Sequence, residues 1–233
     1  MASIPYKTAL IIGAGAGISA SLARRLTALG VRVGLAARDV DKLGALAAET
    51  GATPLQADAT QATSVAALFE EATRRIGEPD VVVYNASARE RGPLAELDAG
   101  EVERALAVTA FGAFLVAQQA ARRMAPRGRG AILFTGASAG VKGFANSAPF
   151  AMGKFALRGL AQSAARELGP KGVHVAHFVI DGGVRSALRP DPADQPDSLL
   201  DPDAIAQSYI DVLRQPRSAW SLEVELRPWV ERF

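Results

Sequence analysis

Three glycines, Gly13, Gly15 and Gly17, stand in "GAGAGIS" between an apolar run and an amphipathic one. Glycines so placed allow a tight turn and let backbone N–H groups approach a pyrophosphate at the positive end of the next helix. The spacing departs from G-x-G-x-x-G, so the loop reads either as a dinucleotide cradle or as a plain strand–helix turn. Arg38, in "GLAARDVDKL", follows the second apolar run, where dinucleotide folds that take NAD place an acid. A guanidinium there either pairs with the 2′-phosphate that NADP carries and NAD lacks, or is an exposed loop arginine. Asp39, one residue on, weighs against the phosphate reading. Lys154 sits in "SAPFAMGKFALRGL" with Phe150 four residues before it, on the same helix face. Phenylalanine has no proton to give.

Metal and thiol chemistry find no support. The chain has no cysteine, and its two histidines, His174 and His177, lie in "GVHVAHFVI", which reads as a strand. They are expected as core or sheet-face residues, and no metal site is expected.

The elements that must position these groups alternate. Strands are expected in "KTALIIG", "VRVGLAA", "ATPLQAD", "PDVVVYNAS", "RGAILFTGAS", "GVHVAHFVI" and "SLEVELRPW". Between them run the helical stretches "ISASLARRLTALG", "DVDKLGALAAETG", "QATSVAALFEEATRRIG" and "DAGEVERALAVTAFGAFLVAQQAARRMA", the last with Pro126 after its end. The Lys154 helix runs to about Gly169, Ser147 helping to start it, and "AIAQSYIDVLRQ" is a further helix. Strands apolar throughout, alternating with helices, predict a single α/β domain over residues 1–233: a doubly wound parallel sheet, or Rossmann fold, with helices on both faces. Tyr84 and the tryptophans Trp220 and Trp229 are expected to pack.

The 26 lysines and arginines outnumber the 24 acids by only two. The arginines are scattered (Arg24, Arg25, Arg74, Arg75, Arg122, Arg123) at positions that suit solvated helix faces, so no nucleic-acid partner is expected. The beginning of the chain lacks the pattern of a signal peptide, and no stretch is long enough to cross a bilayer. A cytoplasmic protein without a membrane partner is the expectation.

The order of these motifs resembles the short-chain dehydrogenase/reductase family over nearly the whole chain. Gly13 and Gly17 match its glycine loop, with Ser19 in place of the last glycine. Asp58 matches an acid that contacts the adenine, Asn85-Ala86-Ser87 an N-A-G stretch after the fourth strand, and Lys154 the lysine of Y-x-x-x-K. Gly182 matches the glycine of a P-G turn beside the nicotinamide, its proline replaced by Asp181, and Ser186 falls where threonine is usual. The resemblance implies NADP, less readily NAD, held by Gly13, Gly15, Gly17, Ile18, Arg38, Asp58, Ala59, Asn85, Ala86, Lys154, Gly182, Val184 and Ser186. It also implies a homodimer or homotetramer, paired through the long helix and the Lys154 helix, and a lid over a small-molecule substrate at about residues 186–203.

The same alignment sets Phe150 at the family tyrosine, Ala137 at its serine and Thr109 at its asparagine. Ser138, one residue late, is either a substitute hydroxyl or a small loop residue facing away. Asp181 is either a carboxyl with a raised pKa that delivers a proton, or a turn residue bonded to local backbone. With Lys154, these two are the candidate catalytic residues. Two functions remain open. One is a reductase moving hydride to a small carbonyl or activated C=C with a non-standard proton donor. The other is a catalytically inactive dinucleotide-binding sensor or non-catalytic subunit. The acids of the Arg189–Asp203 stretch would discourage an anionic substrate, while Arg185 and Arg189 point the other way.

Overall fold

The structure, a computed structural model, describes residues 4–231. Seven strands form one all-parallel sheet: β1 (Thr8–Ile12), β2 (Arg32–Ala37), β3 (Thr53–Gln56), β4 (Val81–Tyr84), β5 (Gly130–Thr135), β6 (Val173–Ile180) and β7 (Glu223–Leu226). Their spatial order is β3-β2-β1-β4-β5-β6-β7. The direction of winding therefore reverses between β1 and β4, which leaves a crevice at the carboxyl ends of those two strands.

Alternate residues of each strand feed two cores, because side chains of a strand point to opposite faces. On one face Ile11, Val83, Leu133 and Phe178 meet α1 (Ile18–Ala28) and α7 (Pro202–Leu213). On the other, Leu10, Val82, Ile132 and Phe134 meet α3 (Ala62–Ile76), α5 (Gly112–Arg127) and α6 (Ala148–Leu168). Both faces are covered, so the strands carry apolar residues throughout rather than alternating with polar ones. A short helix, α2 (Gly44–Thr50), preceded by a 3₁₀ turn at Asp41–Leu43, links β2 to β3 and ends at Gly51 with φ +69°.

The long helix expected over residues 98–125 is interrupted. It consists of α4 (Ala99–Leu106), a π-helical turn at Ala107–Phe111, and α5. The Tyr84 hydroxyl donates to the Val108 carbonyl, drawing it out of the helical ladder. A side chain on Gly112 would fall 2.5 Å from that hydroxyl. Tyr84 thus packs, and also shapes the helix. Pro126 lies inside the last turn of α5 rather than after it. The helix runs on to Arg127, whose guanidinium donates to Pro79 O (2.7 Å), and it closes at Gly128 with φ +64°.

The two histidines are buried in β6. His174 stacks on Trp220, with ring centres 4.7 Å apart, and His177 Nδ1 lies 3.0 Å from Glu223 Oε2. Trp229, expected to pack, is instead 75% exposed. Among the described residues no helix is long and apolar enough to cross a membrane, and no three His, Cys, Asp or Glu side chains gather as a metal site.

Candidate active site

The crevice between β1 and β4 holds a chain of cavities that share Asn85. The first, about 540 Å³, is lined by Gly13, Gly15, Arg38, Asp58, Ala59, Asn85 and Ala86 of the expected contacts, and by Asp39, Lys42 and Thr60. Gly13 has φ +79°, and a Cβ there would lie 2.7 Å from Ala86 Cβ. Only glycine lets the β1–α1 loop pass this close to the end of β4. Gly15 has nothing within 4 Å of where its Cβ would be, so its backbone faces open space. Gly17, at φ +87°, begins α1 and presents the helix N-terminus to the same crevice.

Ser19 ties this loop down. Its hydroxyl donates to Gly13 O (3.2 Å) and accepts from the Asn85 side-chain amide (2.8 Å), while Asn85 N–H donates to Ile12 O (2.9 Å). A residue that departs from the family glycine is therefore a structural tie. At the far wall, Asp58 accepts from the N–H and hydroxyl of Thr60 (2.9 and 2.8 Å). The Thr60 N–H, more than any other group, holds the Asp58 carboxyl below its usual range, and the nearby Arg38 charge acts the same way. Asp39, which weighed against a phosphate at Arg38, is paired with Lys42 at 2.9 Å. The Arg38 guanidinium has no ion-pair partner among the described residues.

The second cavity, about 700 Å³, gathers Ile18, Ala137, Ser138, Phe150, Lys154, Asp181, Gly182 and Val184 with Arg89, Arg91 and Arg189. Ala137, Ala139 and Phe150 form a small apolar wall. The guanidinium of Arg89 lies over the Phe150 ring at 4.3 Å, and Lys154 Nζ is 5.7 Å from the centre of the same ring. Lys154 Nζ donates to Thr135 O (2.7 Å) and is only 3% exposed. Burial, and then the charge of Arg89, bring its pKa from the ordinary 10.5 to about 7.

Ser138 stands in the 3₁₀ turn after β5, half-buried on this cavity, and its hydroxyl makes no hydrogen bond to another described residue. Asp181 fits neither role expected of it. Its carboxylate is 3.6 Å from Arg227, and its N–H donates across to Leu226 O (2.8 Å). Its backbone partner is a distant strand end rather than a local turn, and its carboxylate faces the Arg227 guanidinium. Ser147 precedes α6 without a capping hydrogen bond from its side chain; it lines the cavity instead. Thr109 reaches none of the three cavities. It is buried in the π turn, where its hydroxyl accepts from Ala88 N–H (3.1 Å).

A third cavity, about 440 Å³, is lined by Gly17, Ile18, Val184, Arg185 and Ser186. Ser186 and Gly17 thus sit apart from the first cavity but on the same groove. The segment after β6 folds back on itself through Leu200 N–H to Gly183 O and Arg185 N–H to Leu200 O, both 2.8 Å. Arg185 binds both Asp191 (2.9 Å) and Asp201 (2.5 Å), which turns these carboxylates onto the segment's own cation.

Sequence reasoning missed Arg89, Arg91 and Lys42. The signal is present in "NASARERG", where two arginines follow closely on the end of β4.

Comparison with known proteins agrees with this geometry. Residues 7–195 match the sequence model of the short chain dehydrogenases. Momilactone A synthase of Oryza sativa subsp. japonica is 39% identical over 192 residues, which are 78% of this chain and 68% of that protein. A short-chain dehydrogenase from Rhodopseudomonas palustris superposes with a TM-score of 0.83 at 34% identity, covering 96% of this chain and 99% of that one. A metagenomic short-chain oxidoreductase solved in complex with NADP gives a TM-score of 0.83 at 29% identity, over 97% of this chain and 98% of that one.

Proposed function

This chain belongs to the short-chain dehydrogenase family, and on that premise we propose that it is an NADP(H)-dependent oxidoreductase acting on a small carbonyl or activated C=C compound. The observation that carries the reading is the continuous groove from the unpaired Arg38 to the buried Lys154, with Asn85 at its centre. The dinucleotide fits the residues present. Gly13 and Gly15 leave the backbone open for a pyrophosphate, Asp58 and Ala59 flank an adenosine, and Arg38 with Lys42 meets a 2′-phosphate. Asn85 and Ala86 hold the middle, while Ile18, Lys154, Gly182, Val184 and Ser186 border the nicotinamide end. Bound there, NADPH supplies the hydride.

The protein's own part is the proton and the orientation. Lys154 Nζ, with a pKa of about 7, is half protonated at neutral pH, the condition that suits a general acid. We assign it the proton delivered to the substrate. The Ser138 hydroxyl, which no other described residue engages, is the donor we assign to the substrate oxygen. Phe150 and Ala137 keep that end of the cavity apolar and exclude water. Asp181 holds Arg227, and residues 186–203 act as the lid, with Asp191 and Asp201 pinned by Arg185. Phe111 and Phe114 beside α5, and Met152 and Phe155 on α6, are all at least 43% exposed. Such surface supports a homodimer or homotetramer paired through these helices.

The absence of a hydroxyl at Phe150 favours one other reading, a nucleotide-binding protein without turnover. A panel of enones and ketones, followed by loss of the reduced-nicotinamide absorbance, separates the two. Consumption with at least one substrate, lowered by Lys154→Met, supports the oxidoreductase. Firm NADPH binding with no consumption across the panel supports the other.

A further inference from the structure

Three arginines, Arg89, Arg91 and Arg189, line the second cavity, and among the described residues no carboxylate lies within ion-pair distance of any of them. Arg24 and Arg158, by contrast, pair with Glu49 and Glu223. Arg89 and Arg189 are nonetheless held by neighbours, and the backbone that carries Arg91 is tied down. Ala88 N–H is fixed on Thr109 Oγ1 (3.1 Å) and Gly92 N–H on Asn146 O (3.2 Å), so the stretch carrying Arg89 and Arg91 is clamped at both ends. The Arg89 guanidinium is stacked on Phe150 at 4.3 Å. Stacking occupies the face of the fork and leaves its N–H edge free. Arg189 exchanges two 3.0 Å backbone hydrogen bonds with Ser186, and its guanidinium lies on Gly183, where any Cβ would strike it.

Three like charges gathered without a counter-ion repel one another. Burial, followed by the charges of Arg91 and Arg189, holds the pKa of Arg89 below the usual arginine value. Two carboxylates also line the cavity, but Asp181 is engaged by Arg227, and Glu231 pairs with none of the three. Of the five acids of the 186–203 segment, which from the sequence would repel an anion, Asp191, Asp197 and Asp201 lie 2.9, 3.8 and 2.5 Å from Arg185. Guanidinium forks around an open cavity recognise planar or tetrahedral oxyanions.

We infer that the substrate is an anion, a carboxylate- or phosphate-bearing compound whose charged group is held by Arg89, Arg91 and Arg189 at the mouth of the second cavity. The inference rests on the second cavity being the substrate end of the groove, as proposed above.

The test is calorimetric titration with succinate, inorganic phosphate and the neutral succinamide, on the protein alone and on the protein saturated with NADPH. Succinate or phosphate binding at least roughly tenfold tighter than succinamide supports the inference. So does a loss of roughly tenfold or more in Arg89→Gln, Arg189→Gln and the double variant while NADPH affinity stays unchanged. Loss of anion affinity with added salt is expected too, since the arginines are solvent-accessible. The inference is overturned if neither anion binds more tightly than succinamide, or if the double variant binds both as well as the wild type. Anion binding by a wild type that does not take NADPH would sink the cofactor reading while leaving the arginine site standing.

Discussion

Replacing Lys154 by methionine removes an amine that the fold keeps only 3% exposed and close to Arg89. In the unfolded chain this group stays protonated to about pH 10.5, whereas in the folded protein it gives up its proton near 7. Below pH 7 both states hold the proton, so folding buries an ammonium and bears the full cost. Above pH 7 the folded amine is neutral while the unfolded chain still binds the proton. Stability must therefore rise with pH, by about 1.4 kcal/mol per pH unit for one full proton. Between about pH 6 and about pH 9 the gain from this one group is roughly 3 kcal/mol. The methionine variant lacks the gain, and it also loses the bond to Thr135 O, a pH-independent offset on the order of 1–3 kcal/mol. Urea denaturation of both proteins across this range, without nucleotide, gives the difference profile in which all other titrations cancel. Wild-type stability relative to the variant should climb with pH. A flat difference would show that the ammonium keeps its charge in the fold, and the assignment of Lys154 as the general acid would fall with it.

Gly13→Ala and Gly15→Ala should separate folding from binding. The first forces a Cβ onto Ala86 at φ +79° and should cost on the order of 2 kcal/mol or more in thermal or chemical denaturation. The second meets nothing within 4 Å and should denature like the wild type, yet bind NADPH at least roughly tenfold more weakly, because its methyl stands where the pyrophosphate approaches. Equal stabilities for the pair would refute the close passage at Ala86. Phe150→Tyr sets a hydroxyl beside Lys154 and should raise the turnover of a neutral ketone at least roughly tenfold; an unchanged rate would mean that the hydroxyl does not reach the substrate. Arg185→Ala frees Asp191 and Asp201 and should speed cleavage of residues 186–201 by proteinase K without altering the rate elsewhere. Resistance equal to the wild type would show that the backbone bonds of Leu200 and Arg185 suffice.

The parallel sheet was legible because its strands are apolar throughout, a pattern that only burial on both faces explains. The glycine loop and Arg38 stood out by their places after β1 and β2, whereas Asp58, Asn85 and Lys154 stood out by resemblance to the family motifs. What could not be read were relations between residues far apart in the chain. That Tyr84 would break the long helix at Val108 depends on a contact across 24 residues, and no local propensity encodes it. That Asp181 would face Arg227, 46 residues away, is equally absent from its local sequence. The lid acids looked repulsive to anions because charge was counted along the segment. Their pairing with Arg185, and the gathering of Arg89 and Arg91 with the distant Arg189, appear only once the loops are folded together.

The central claim, that the groove between β1 and β4 holds a phosphorylated nicotinamide dinucleotide, is tested most directly by calorimetric titration of the protein with NADPH and with NADH. NADPH should bind more tightly than NADH, and Arg38→Ala should weaken NADPH by roughly tenfold, about 1.4 kcal/mol, while leaving NADH nearly unchanged. No heat from either nucleotide at millimolar concentration, or an equal loss for both in Arg38→Ala, would contradict it.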